Sequence, residues 1–173
     1  MGNTVFVIYG YGCHLTPELK KYLNRMALVA NTIKPRVIMF CGGFTQRKTA
    51  PGMSEARLMA MYLMPMLKFE HILTLEEDSY ITLDNTKRAY AEIKTLPFKY
   101  DNIIVGCEAT RALKVDMLTK HYFGHRVNIE TSSWELMNPW KQLLSTVYEG
   151  LAMYLPSLAW YFRRKRIQRA KEI

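Results

Sequence analysis

The sequence predicts an α/β protein, doubly wound around a mostly parallel sheet of roughly five strands. Two observations predict it. Short β-branched and aromatic runs alternate with longer stretches of helical periodicity, the signature of successive βαβ units with right-handed crossovers. The first of those runs, Val5–Tyr9, is continuously apolar, as in a strand covered on both faces.

The elements follow in order. Val5–Tyr9 is a strand closed by Gly10-Tyr11-Gly12. Thr16 and Pro17 suit the N-cap and first residue of a helix, whose apolar stripe is Leu19, Tyr22, Leu23, Met26, Ala27 and Ala30, with Pro35 after it. Arg36–Phe40 is the second strand. A Gly-rich loop with Gln46, Arg47 and Lys48 leads to Ser54, which caps a helix with Leu58, Met59, Tyr62 and Leu63 as its stripe. His71–Leu75 is the third strand, and Glu76-Glu77-Asp78 an acidic turn. Thr82, with Asn85 three residues on, resembles a capping box with an amide in the carboxylate position, so the next helix is expected from Leu83 to about Thr95. Asn102–Val105 is the fourth strand. Arg111–Phe123 reads as a helix with Leu113, Met117 and Leu118 inward, and Arg126–Ile129 as a short fifth strand. After Thr131 the alternation stops. A helix follows Pro139, Pro156 interrupts it, and an aromatic run leads into Arg163-Arg164-Lys165-Arg166.

The chain has 173 residues, 49% of them hydrophobic and 23% charged. This suffices for one domain with an ordinary core and excludes a disordered composition. The expected division is a domain over residues 1–137 and a helical extension over 138–173 packed on it. The net charge of +9 points to anionic partners. Because Arg163, Arg164, Lys165, Arg166, Arg169 and Lys171 crowd the last turns, that charge is expected to say little about a pocket elsewhere. No nucleic-acid module is recognisable, so no specific nucleic-acid partner is expected. The three cysteines form no CxxC pair, which suits a reducing compartment. With no secretory signal visible, a cytoplasmic location is expected. Met1-Gly2 superficially suggests myristoylation, but Phe6 stands where Ser or Thr is needed.

The candidate site lies where successive strands end and helices begin, the edge at which open α/β sheets bind ligands. Gly10 and Gly12 are read as a tight turn or as part of a ligand loop. Gly42 and Gly43, directly after a strand, let backbone approach a ligand, and their amides are candidates for an anion-binding nest. Arg47 and Lys48 are candidate phosphate contacts. Ser54 and Glu55 open a helix: a cap and a first-turn acid, or a carboxylate facing a crevice. The positive helix end is expected to lower the pKa of Glu55, suiting a ligand-binding carboxylate or a base. Asn85 is a cap partner or a recogniser of a polar ligand. Arg111 stands where a cation opposes the helix dipole; Glu108 or a bound phosphate would resolve the conflict. Cys13, Cys41 and Cys107 are expected just beyond strand ends as small buried residues rather than metal ligands. A pairing of His14 with a cysteine is one option and a turn histidine the other, while His71, His121 and His125 look structural. Leu151–Phe162 and the basic cluster after it are too short to span a bilayer and suit either a packed helix with a solvated end or contact of residues 157–171 with an anionic membrane surface.

At these residues the chain resembles the YdcF/SanA/ElyC family, a bacterial domain of unknown function. The pattern is Val5–Gly12, Cys41-Gly42-Gly43, Ser54-Glu55-Ala56, Ile72-Leu73, then Ser79, Thr82 and Asn85 as Ser-x-x-Thr-x-x-Asn, and Arg111-Ala112. It covers roughly residues 4–130. The chain departs from it at Gly106-Cys107-Glu108-Ala109-Thr110, where many members carry Thr-Ser and a His, and at Cys41, where Ser is common. The resemblance implies a Rossmann-like three-layer α/β/α sandwich with a pocket at the strand carboxyl ends. It also implies S-adenosylmethionine as a candidate ligand, associated with one branch, and a link to the cell envelope through others. The expected function is therefore binding of a nucleotide-like, anionic small molecule by Gly10, Gly12, Gly42, Gly43, Ser54, Glu55, Thr82, Asn85 and Arg111, with no metal. The alternatives are a hydrolase or transferase acting on a phosphorylated envelope intermediate, with Glu55 positioning water, and a membrane-surface protein using the basic tail.

Overall fold

The computed structural model describes residues 3–124, 127–132 and 139–173. Met1, Gly2, His125, Arg126 and the expected boundary between 137 and 138 lie outside the described residues.

Among the described residues five parallel strands form one sheet. They are β1 (Thr4–Tyr9), β2 (Val37–Cys41), β3 (Ile72–Glu76), β4 (Asn102–Glu108) and β5 (Val127–Ser132), in the order β3-β2-β1-β4-β5. Among the described residues six α-helices accompany them: α1 (Pro17–Ile33), α2 (Glu55–Leu63), α3 (Thr82–Lys94), α4 (Ala112–Phe123), α5 (Pro139–Tyr154) and α6 (Pro156–Glu172). This is a Rossmann-like three-layer α/β/α arrangement. The strand order reverses at β1, which pairs with β2 on one side and β4 on the other, so the switch point lies at the carboxyl ends of β1 and β4.

Strand alternation builds two cores. Phe6, Ile8, Ile38 and Phe40 face one side and pack on Leu19, Tyr22, Leu23 and Met26 of α1 and Ala56, Met59 and Leu63 of α2. Val5, Val7, Tyr9, Val37, Met39, Ile103 and Val105 face the other and pack on Ala89 and Ile93 of α3 and Val115 of α4. Side chains that alternate across a pleated strand serve both layers, which is why these runs are apolar throughout.

Local signals set the helix starts. The Thr16 hydroxyl accepts from the Leu19 amide at 3.2 Å with Pro17 first in the helix, and Lys34 closes α1 in the left-handed region at φ +48°. Ser54 caps α2 through the Arg57 amide at 3.0 Å.

Four expectations need correction here. β4 runs to Glu108 rather than Val105, because Gly106 pairs with Ile8 on one side and Glu130 on the other, and Cys107 pairs with Thr131. Cys107 is therefore a strand residue, and so is Cys41, which pairs with Tyr9 and Glu76 at the end of β2, so neither lies beyond its strand. α4 begins at Ala112 after a short 3₁₀ turn, Ala109–Arg111, and Leu113, expected inward, is exposed. Leu118 is buried as expected, and Lys114 and Val115 are buried with it, since α4 packs on α5 as well as on the sheet and turns Lys114 toward that helix.

α5 and α6 join the same body. Leu83, Leu118 and Ala152 form a third apolar cluster with Leu158 and Phe162 packed against it. The chain end is tied to the loop before α2 by Arg47 N–H to the Ala170 carbonyl at 2.9 Å and Thr49 N–H to the Ile173 carbonyl at 2.8 Å.

Candidate functional site

Glu55 sits at the start of α2 and fills the space two glycines leave. A Cβ added at Gly10 would lie 2.6 Å from the Glu55 Cβ, and one at Gly42, itself at φ +150°, would lie 2.7 Å from it. The carboxylate is buried and accepts from the Thr45 hydroxyl and the Gly12 amide. Burial pushes its pKa up; Thr45, Arg111, Gly12 and Arg166 pull back without reversing the direction. The expected lowering by the helix end is thus overturned, because desolvation of the charged form outweighs the dipole.

The anion nest expected at Gly42-Gly43 is overturned too. The Gly42 amide donates to the Glu76 carbonyl at 2.9 Å and the Gly43 amide to the Ser79 carbonyl at 2.8 Å. The first amides of α2 are also spent: Glu55 on Gly43, Ala56 on Gly42 and Arg57 on the Ser54 hydroxyl. Ser54 in turn donates to Glu77 at 2.5 Å. Gly43 and Ser54 therefore build the loop and its cap. Arg47 donates to the Tyr80 hydroxyl at 2.5 Å, and Lys48 is exposed.

Arg111 crosses the switch point. Its Nη1 donates to the Gly10 carbonyl at 3.1 Å and its Nη2 to the Thr82 hydroxyl at 2.9 Å, while the Tyr11 ring lies 4.3 Å from its Cζ. The expected partner, Glu108, is committed elsewhere: it caps the 3₁₀ turn through the Thr110 amide at 3.0 Å and also accepts from the Thr110 and Tyr11 hydroxyls. No ion pair among the described residues includes Arg111. Burial works against its charge, yet Tyr11, Glu149, Cys107 and Glu55 around it more than offset this and hold its pKa above the usual value. Its Nε and the Oδ1 of Asn85 are buried without a hydrogen-bond partner.

The capping box expected at Thr82 is not formed. Ile81 is the N-cap and brings no side-chain bond, and Thr82 serves Arg111. The cap comes from α5 instead, where Glu149 accepts from the Leu83 amide at 2.8 Å. The other Glu149 oxygen takes Lys114 Nζ at 2.9 Å and Ser145 at 3.3 Å. Burial lowers the Lys114 pKa, with Glu149 opposing.

Above this cluster, α5, α6 and the start of α3 enclose a cavity of about 270 Å³. Ile81, Tyr148 and Phe162 give it apolar walls, and Lys141, Lys165, Arg166 and Arg169 a basic rim. Arg166 also acts electrostatically on Glu55 and Lys114. The tail's charge therefore belongs to the carboxyl edge, contrary to expectation. A larger open depression of about 780 Å³, lined by residues such as Lys94, Phe98 and Phe123, lies toward the amino ends of the strands and holds no buried charge.

The cysteines are buried, and burial pushes the Cys107 thiol up to about 12. His14 bonds Thr49 at 3.0 Å rather than a cysteine. Among the described residues no group of three His, Cys, Asp or Glu side chains is placed to hold a metal.

The fold thus brings Gly10, Gly12, Gly42, Glu55, Thr82 and Arg111 together, with Asn85 one turn beyond the start of α3. Sequence reasoning missed Lys114, Glu149 and Arg166. One signal was present for Glu149: it is the lone carboxylate in the largely apolar 147–154 stretch, where burial requires a partner. Together these features define an α/β/α protein with a buried polar cluster at its switch point. Compared with known proteins, the chain matches no family model and no curated protein.

Proposed function

We propose that this chain binds a small anionic, nucleotide-like molecule at the carboxyl edge of the sheet. The observation that carries the reading is Arg111: a buried guanidinium without an ion-pair partner among the described residues, with one N–H unspent, at the switch point. Buried charges are ordinarily paired, and an anionic group of a ligand supplies the missing charge. Asn85 Oδ1 takes a donor of the same molecule, and the rim of Lys141, Lys165, Arg166 and Arg169 draws it in.

S-adenosylmethionine, suggested by the resemblance to the YdcF/SanA/ElyC family, fits this donor set at its amino-acid end. Arg111 suits the carboxylate and Asn85 Oδ1 the ammonium. The cavity of about 270 Å³ is lined by neither Arg111 nor Asn85 and is small beside ordinary ligand sites of roughly 300–1,000 Å³, so seating a whole nucleoside against both residues calls for a shift of α5 or α6.

The test is a thermal-shift panel of nucleotides, S-adenosylmethionine and sugar phosphates. Ligand at a hundred times its Kd stabilises by about 2.7 kcal/mol. One class is expected to raise Tm in the native chain and to lose that effect in Arg111→Gln. A flat response to the whole panel overturns the proposal.

A further inference from the structure

α5 is amphipathic in the inverted sense. Its buried side carries Thr146, Glu149 and Ala152, whereas Trp140, Leu143, Leu144, Val147, Leu151 and Tyr154 are all exposed, Trp140 by 74% and Tyr154 by 70%. Steps of three and four residues place the exposed six on one helical stripe. A globular helix ordinarily turns that stripe inward, and contiguous apolar surface of this kind marks an interaction site. The start of α6 adds exposed Trp160 and Tyr161.

The border of the patch is cationic. Arg164 lies over the Trp160 ring at 5.2 Å and Lys165 over the Tyr161 ring at 6.0 Å, and Lys141 is exposed on α5. The one carboxylate of α5, Glu149, is turned inward and spent on Lys114 and the Leu83 amide.

We infer that this face rests on an anionic bilayer surface. An apolar stripe edged by Trp, Tyr and basic side chains matches the chemistry of the headgroup boundary. The 16 residues of α5 measure about 24 Å, short of a hydrocarbon core of about 30 Å. No described helix is long and apolar enough to cross a membrane, so α5 lies in the surface plane. A second copy is a poorer occupant, because two-fold pairing of one basic-edged patch sets like charges against each other. The contact is thereby carried by α5 and the first turns of α6, rather than by a basic tail alone.

Sedimentation of the full chain with vesicles tests this. Binding to phosphatidylcholine mixed with phosphatidylglycerol is expected to be on the order of a hundredfold tighter than to phosphatidylcholine alone, and to weaken with salt. Val147→Asp with Leu151→Asp abolishes it. Both positions are exposed, so the circular dichroism melt stays as in the native chain. Arg164→Gln with Lys165→Gln removes most of the preference for the anionic lipid. Two outcomes overturn the inference. One is equal partitioning of the native and doubly substituted chains. The other is no vesicle binding, together with a dimer in sedimentation velocity that the aspartates dissolve, which assigns the face to a second copy.

Discussion

Glu55 carries its charge in a place that disfavours charge. Its carboxyl is buried against Gly10 and Gly42, and burial raises its pKa above the ordinary 4.5. A carboxyl whose folded pKa is raised binds its proton more tightly in the folded chain than in the unfolded one. Its contribution to stability is therefore fully present below about pH 4.5 and is lost as pH rises through the raised value. Glu55→Gln keeps the shape and removes the titration. Denaturant midpoints are expected to show the variant gaining on the native chain as pH rises from 4 to 7, with the two meeting at the acid end. Glu76 is raised in the same direction by burial, so the variant keeps part of the slope. A difference that is flat with pH would mean that Thr45 and Gly12 compensate the desolvation fully.

At the scale of elements, the start of α3 depends on a residue 66 positions away. Glu149 of α5 caps the Leu83 amide and pairs with buried Lys114. Glu149→Ala leaves an ammonium buried with only Ser145 to accept from it, and α3 without its side-chain cap. Breaking a buried pair from one side costs about 3–5 kcal/mol, and a lost cap about 1 kcal/mol. Urea unfolding is expected to show a loss of at least about 3 kcal/mol, whereas Glu149→Gln, which can still cap, loses less. The same pair shows what a sequence carries and what it withholds. Thr16-Pro17 and Ser54 announce α1 and α2 because cap and helix are neighbours in the chain. Thr82-x-x-Asn85 carries the same local signal, yet the hydroxyl goes to Arg111 and the cap comes from α5. A local pattern has no means of reporting that a distant carboxylate competes for the same amide. Arg111 was legible, since a cation at a helix start is a local conflict, but its relief by the Gly10 carbonyl and Thr82 belongs to the tertiary fold. The outward stripe of α5 was hidden for a related reason: periodicity gives the stripe and not the side of the helix that is covered.

At the scale of the molecule, the basic C-terminus is a structural part of the carboxyl edge. Arg163 forms two bonds to the buried carboxylate of Asp84, at 2.8 and 2.5 Å, and the last turn of α6 receives the Arg47 and Thr49 amides. Removing residues 163–173 strands Asp84, 2% exposed, without its cation and leaves two backbone donors of the loop before α2 to water. Arg163 is 42% exposed along its side chain, so solvent screens the pair and its loss falls below that of a fully buried one. Orphaning a buried acceptor costs about 1–3 kcal/mol. In a chain of this size about 2 kcal/mol lowers Tm by roughly 4–8 °C. Calorimetry of the truncated chain is expected to show that drop in a single cooperative transition, because α5 still packs on α3 and α4 through Ala152 and Leu118. Asp84→Asn in the full chain reproduces part of the loss, since it removes the charge and leaves the loop bonds intact. An unchanged Tm after truncation would mean that the tail is solvated in solution, and that the basic rim above Glu55 and Arg111 is not held in place by the fold.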